Sequence, residues 1–143
     1  MTHRPVRRLT ALEQDAQQLA IPTPPPRKPA MTEATLLTAV RKIARLTGWL
    51  TYHTHDSRRS EPGFPDLVLL HTRRHRLIFA ELKTDTGRLT PDQENWLAAL
   101  AETGHEIALW RPTDLDDEIR AVLTGLRATT KLTDDYRTTR GLT

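Results

Sequence analysis

The sequence predicts an α/β domain, a mixed central β-sheet flanked by helices in the order α-β-β-β-α-β-α. Three observations predict it. The apolar runs at 67–70 and 77–82 carry apolar side chains at both parities, as strands covered on both faces do. Segments with helical periodicity stand before the first strand and on both sides of the last one. Proline and glycine mark most of the boundaries between these segments.

Residues 8–20 place Leu9, Leu12, Ala16 and Leu19 on one stripe of a short amphipathic helix. The next stretch, 21–29, holds five prolines and is extended and semi-rigid. Residues 1–30 are therefore an appendage and linker, and the compact domain spans 31–126. Thr32 caps a helix with Leu36, Leu37, Val40, Ile43 and Ala44 on its apolar face, and Gly48 ends it. Residues 49–54 form a strand and 57–63 a polar loop. Pro65 holds Phe64 extended and delivers the chain into a strand over 66–71. Arg73-Arg74-His75 turns the chain into the next strand, 77–83. Thr90-Pro91-Asp92-Gln93 is a helix start with a capping box, and that helix runs to about Glu102. Residues 106–110 are the fourth strand. Thr113 opens a last helix with Leu115, Ile119, Val122 and Leu126 on its apolar face. Residues 127–143 form a flexible basic tail.

Composition narrows the function. The chain of 143 residues suits one domain with a true core plus short tails. It has no cysteine, which excludes disulfides and thiolate metal sites and fits a reducing cytoplasm. No run is long and apolar enough for a membrane span, and no apolar segment of signal-peptide type follows the basic N-terminus. A cytoplasmic protein with no membrane partner is expected. The net charge of +3 is unevenly placed, because residues 31–126 carry 12 basic and 14 acidic side chains while both tails are basic. Arg58, Arg59, Arg73, Arg74 and Arg76 flank the segment containing Asp66. They form either a solvated basic surface or a seat for phosphates, which the guanidinium fork suits.

The chemistry concentrates in Pro65-Asp66 and Glu81-Leu82-Lys83. Residues i and i+2 of a strand share a face, so Glu81 and Lys83 project together while Leu82 packs on the other side. Pairing of the two strands would bring the carboxylates of Asp66 and Glu81 within about 5 Å. Carboxylates that close repel unless a proton or a cation lies between them. A hard divalent cation prefers such oxygens. The alternative is a surface ion pair of Glu81 with Lys83, worth under about 1 kcal/mol. Spacing alone leaves both open. His53 and His55 share a strand face, but a metal there lacks a third ligand nearby in sequence. They, or Ser57, Arg58 and Arg59, suit contact with a nucleic-acid backbone. The acidic run Asp114, Asp116, Asp117 and Glu118 is most simply matched to a helix dipole.

Gly63-Phe64-Pro65-Asp66-Leu67, Phe79-Ala80-Glu81-Leu82-Lys83 and Gly87-Arg88-Leu89-Thr90-Pro91-Asp92-Gln93 together resemble the VRR-NUC family of the PD-(D/E)XK nuclease superfamily. The resemblance extends to Glu33, Gly48-Trp49, Trp110-Arg111-Pro112 and Asp114, over about 31–126. It implies a restriction-endonuclease-like core and a phosphodiester-cleaving DNA endonuclease. Asp66, Glu81 and Glu33 would hold Mg²⁺, with Mn²⁺ able to substitute, and Lys83 would be the catalytic lysine. Gln93 would complete the catalytic set, beside its reading as a capping-box residue. Glu33 would support the metal or a bound water, beside its reading as a first-turn carboxylate. Arg58, Arg59, Arg73, Arg74 and Arg88 are the candidate DNA contacts. A homodimer acting on branched or four-way junction DNA in replication, repair or recombination is the expected setting, with no small-molecule cofactor. The competing reading is a DNA-binding accessory protein that uses the fold without cleavage; a third is a restriction-like enzyme.

Overall fold

The computed structural model describes residues 10–12 and 29–129. Helix α1 spans Glu33–Leu46, and Thr32 caps it by accepting a hydrogen bond from the Thr35 backbone N–H at 3.1 Å. Leu36, Val40 and Ala44 form its buried face. Gly48 follows at φ 88, the left-handed conformation that glycine adopts without steric cost. The strands are β1 (Leu50–His53), β2 (Leu67–His71), β3 (Arg76–Leu82) and β4 (Glu106–Trp110). Their spatial order is β1-β2-β3-β4, with β1, β2 and β3 antiparallel and β3 and β4 parallel. Helix α2 (Pro91–Glu102) makes the crossover that a parallel pair requires. After β4 come a 3₁₀ turn (Pro112–Asp114), a π-helical turn (Leu115–Ile119) and helix α3 (Arg120–Thr124). The element order read from the sequence is the order found.

One sheet face, with Leu67, Leu69, Ile78, Ala80, Leu82, Ala108 and Trp110, packs against Leu36, Val40 and Ala44 of α1 and against Ile119, Val122 and Leu123. Polar ties close this layer. Trp49 Nε1 donates to Leu123 O at 2.8 Å, and Arg76 forks onto Glu106 at 2.8 and 2.6 Å. The opposite face holds a smaller cluster of Ile107 and Phe79 under Leu97, Leu100 and Ala101 of α2.

That asymmetry corrects two expectations. Strand β2 is not covered on both faces: Leu67, Leu69 and His71 are buried, Val68 is half-buried and Leu70 is 40% exposed. Helix α2 packs over β3 and β4, so the neighbouring Leu50 and Tyr52, which pair with Leu70 and Val68, are exposed as well. Apolar character on both faces therefore marked a strand correctly but not its coverage. Leu126 is also not on a buried helical face. The helix stops at Thr124, Gly125 turns left-handed at φ 87, and Leu126 is 85% exposed.

The expected helix over 8–20 lies largely outside the described residues, as does 130–143. Packing reaches further into the segment read as tail than position 126. Thr129 is buried, and its N–H and hydroxyl donate to Glu106 Oε2 at 3.2 and 2.9 Å. Among the described residues no helix is long and apolar enough to cross a membrane.

Candidate metal centre

Strands β2 and β3 pair with Leu67 opposite Ala80. Extending that register by one step sets Asp66 opposite Glu81, on the same face of the sheet. Asp66 is fixed where β2 begins, because its Oδ2 accepts a hydrogen bond from the Leu82 backbone N–H at 3.0 Å. Leu82 is buried in the main core on the opposite face. Glu81 is fully buried, and its Oε1 lies 2.9 Å from Lys83 Nζ. The Lys83 side chain is only 11% exposed, so this is not the surface ion pair that spacing alone allowed.

The loop before Asp66 is pressed onto the start of α2. A Cβ on Gly63, which has φ 84, would lie 2.4 Å from the backbone carbon of Asp92. Phe64 stands edge-on to Phe79 and Trp96, with ring centroids 6.1 and 5.1 Å away. Trp96 Nε1 donates to Pro62 O at 3.1 Å. This docking brings Gln93 to the carboxylates. Its side-chain oxygen accepts from the Thr90 N–H at 2.9 Å, and its Nε2 donates to Glu81 Oε1 at 2.5 Å. The capping-box and site readings of Gln93 are thus one arrangement. Fixing the amide oxygen at the helix cap aims the amide nitrogen at Glu81. Gln93→Ala should cost about 1 kcal/mol of stability through the lost cap and lower divalent-metal affinity about 10–100-fold; thermal melts and metal titrations check the two effects separately.

Lys83 and Gln93 both engage Oε1, while Glu81 Oε2 is buried and has no hydrogen-bond partner. Burial, and then the charge of Asp66, push the Glu81 carboxyl up to about 7; Lys83 and the Asp66 backbone N–H pull it down and are outweighed. Glu81 therefore keeps a proton up to near neutrality, and a hard cation could replace that proton. A partnerless buried carboxylate oxygen beside a second carboxylate is a donor set that fits Mg²⁺ or Mn²⁺, with water filling the remaining positions. Among the described residues no three carboxylate or histidine side chains group closely enough to hold a metal. Glu33 is exposed at the start of α1. It lines the same pocket of about 360 Å³ as Asp66, Lys83 and Gln93, but does not join Asp66 and Glu81 in such a group.

The raised Glu81 has a consequence for stability. The folded state binds this proton more tightly than the unfolded chain, whose Glu titrates near 4.5. Its contribution is complete below that pH and is lost as pH rises through about 7. Without divalent cations, stability should fall between pH 5 and 8 by on the order of 3 kcal/mol. Urea melts across that range with a chelator present measure the fall, and added Mg²⁺ or Mn²⁺ should reduce it.

The remaining candidates divide between the ends of the sheet. Thr54, His55, Ser60 and Glu61, from the loop carrying Arg58 and Arg59, line the pocket, and both arginines are exposed. Arg88 is exposed in the loop that follows Lys83. Arg73 and Arg74 do not flank the carboxylates. They sit in the turn after β2, at the opposite end of the sheet and about 20 Å along the strand from Asp66. Arg74 Nη1 donates to Leu123 O at 2.9 Å, so its contact secures the end of α3. Proximity in sequence misplaced these two, because a strand carries its ends apart. The His53 and His55 rings lie tilted to each other with centroids 4.2 Å apart, with no third ligand grouped beside them among the described residues. Sequence reasoning gave no role to Arg111. Its Nη1 donates to Thr84 O and Gly87 O at 2.5 and 2.8 Å, pinning the loop after Lys83. The signal was present in Trp110-Arg111-Pro112, but nothing in the motif said which loop it would hold.

A sheet whose end presents two opposed carboxylates and a half-buried lysine has the architecture of a nuclease of the PD-(D/E)XK type. A family model for the VRR-NUC domain matches residues 7–113, and the chain belongs to the VRR-NUC family. The matched span begins within the segment read as an appendage. A solved structure described as a VRR_NUC domain is similar in fold, with TM-score 0.52 at 20% identity over 62% of this chain and 96% of that chain. Another, described as a VRR_NUC domain protein, has TM-score 0.45 at 17% identity over 72% of this chain and 91% of that chain. A search of curated proteins returned no match.

Proposed function

We propose that the protein is a Mg²⁺-dependent DNA endonuclease that hydrolyses phosphodiester bonds. One observation carries this reading. Glu81 is buried with Oε1 fixed by Lys83 and Gln93 and with Oε2 partnerless, next to Asp66 on the adjoining strand. Asp66 and Glu81 would hold the cation, with Glu33 a candidate for an outer role through water. When bound, the cation supplies Lewis-acid polarisation of a phosphate oxygen and lowers the pKa of a water. Lys83 projects from the same strand face as Glu81 and reaches the pocket. It can hold a phosphate oxygen and stabilise negative charge that develops there. Gln93 keeps the Glu81 carboxylate from turning. The buried Glu81 and the docked loop 62–66 hold this constellation rigid before substrate arrives.

The reading extends to structure-specific cleavage of branched or four-way junction DNA by a homodimer, in replication, repair or recombination in a bacterial or phage-infected cytoplasm. Mn²⁺ should replace Mg²⁺. Purified protein with labelled single-stranded, duplex, flap and junction DNA, with Mg²⁺ or with chelator, tests it. Cleavage only with the metal is expected, strongest on a branched substrate. No cleavage of any form would favour the accessory DNA-binding reading. Arg58, Arg59 and Arg88 are the proposed backbone contacts near the pocket. With four to six phosphates neutralised, log K should fall with log salt at a slope of about −4 to −5. A flat salt dependence would remove these arginines from the interface.

A further inference from the structure

Arg41 is out of place as a surface residue of α1. It stands on the helix two turns after Glu33, with its guanidinium partly buried. Its Nε is fully covered and has no hydrogen-bond partner. Among the described residues no ion pair joins it to a carboxylate. Burying a cation without a counter-charge costs free energy, and the guanidinium fork is shaped to take two oxygens of one anion.

The surroundings indicate which anion. The charge of Arg41 reaches His53 on β1, which faces α1 and pairs with Leu67, the residue after Asp66. Burial first, then Arg41 and His55, hold His53 below its ordinary range. The His53 and His55 rings lie 4.2 Å apart, and His55 lines the pocket together with Asp66 and Lys83. The charge of Arg41 thus acts on an imidazole whose neighbour, His55, stands at the rim of the carboxylate site.

We propose that Arg41, with His53 and His55, forms a second phosphate seat beside the Asp66–Glu81 site, holding the phosphodiester next to the one that is cut. The seat rests on the DNA-cleaving reading above.

The test is binding of a short fluorescein-labelled duplex by the full chain in chelator, read by anisotropy over a range of salt. Arg41→Gln should weaken binding about tenfold and make the log–log salt slope shallower by about 0.9, the loss of one phosphate contact. Arg41→Lys should keep the parent slope, since it keeps the charge. In cleavage with Mg²⁺, the loss in kcat/KM for Arg41→Gln should be carried by KM. An unchanged affinity and slope in Arg41→Gln overturns the seat, as does a slope in Arg41→Lys equal to that of Arg41→Gln. Should Arg41→Gln not fold, phenylglyoxal labelling of the parent decides. Duplex should slow modification of Arg41, mapped by mass spectrometry, and unslowed modification overturns the seat. A parent that neither binds nor cuts DNA sinks the nuclease reading itself. A parent that cuts DNA while Arg41 proves indifferent sinks the seat alone.

Discussion

Glu81→Gln should abolish DNA cleavage, lowering kcat by at least about 10³-fold, while leaving a folded protein. The substitution preserves shape and the capacity to accept from Gln93 and Lys83, but removes the charge that would hold a cation. It also removes the one carboxyl, among the described residues, that stands raised to about 7. Two readouts should therefore change together. Cleavage disappears, and the fall of stability between pH 5 and 8 flattens, since no proton is left to be lost there. Asp66→Asn should match it in activity, and the double variant should be no worse than either, because residues that act as a unit are not additive. Single-turnover cleavage and urea melts of the same preparations check both halves. Cleavage by Glu81→Gln within tenfold of the parent would end the catalytic assignment.

Gly63→Ala should destabilise the protein by about 2–5 kcal/mol and take cleavage with it. Two costs combine. A side chain at positive φ costs about 1–2 kcal/mol, and overpacking against a fixed neighbour costs about 1–3 kcal/mol. The neighbour here is fixed, because the added Cβ would lie 2.4 to 2.6 Å from the Asp92 backbone and Cβ at the first turn of α2. Relief requires the loop to lift from the helix, which separates Asp66 from Gln93. Gly104→Ala is the matched control. Its φ is also 84, but nothing lies within 4 Å of the added Cβ, so only the backbone term applies. Equal destabilisation of the two variants in denaturant melts would contradict the close approach of loop and helix.

Much of this architecture was legible in the chain because local physics set it. Thr32 and Thr90 cap helices where their spacing placed them, and Glu106–Trp110 is the strand that its apolar run and Pro112 delimit. The i, i+2 rule put Glu81 and Lys83 on one face, and the pairing of neighbouring strands brought Asp66 to them. What was not legible depended on contacts distant in sequence. Coverage of β2 is decided by where α2 lands, which no periodicity within β2 records. Arg73 and Arg74 read like Arg58 and Arg59, yet the direction of β2 carries them to the far end of the sheet. Arg41 lies off the apolar stripe of its helix, and no periodicity records that its Nε is covered. Gln93 invited two separate roles, and only the docked loop shows that one side chain performs both.

Titration calorimetry of Mn²⁺ into the protein at pH 8, where Glu81 is ionised, tests the carboxylate centre most directly. The parent should bind the cation with measurable heat, and binding should be lost in both Asp66→Asn and Glu81→Gln. Binding that persists in both variants, or that is absent from the parent with and without DNA, would contradict a metal centre at Asp66 and Glu81.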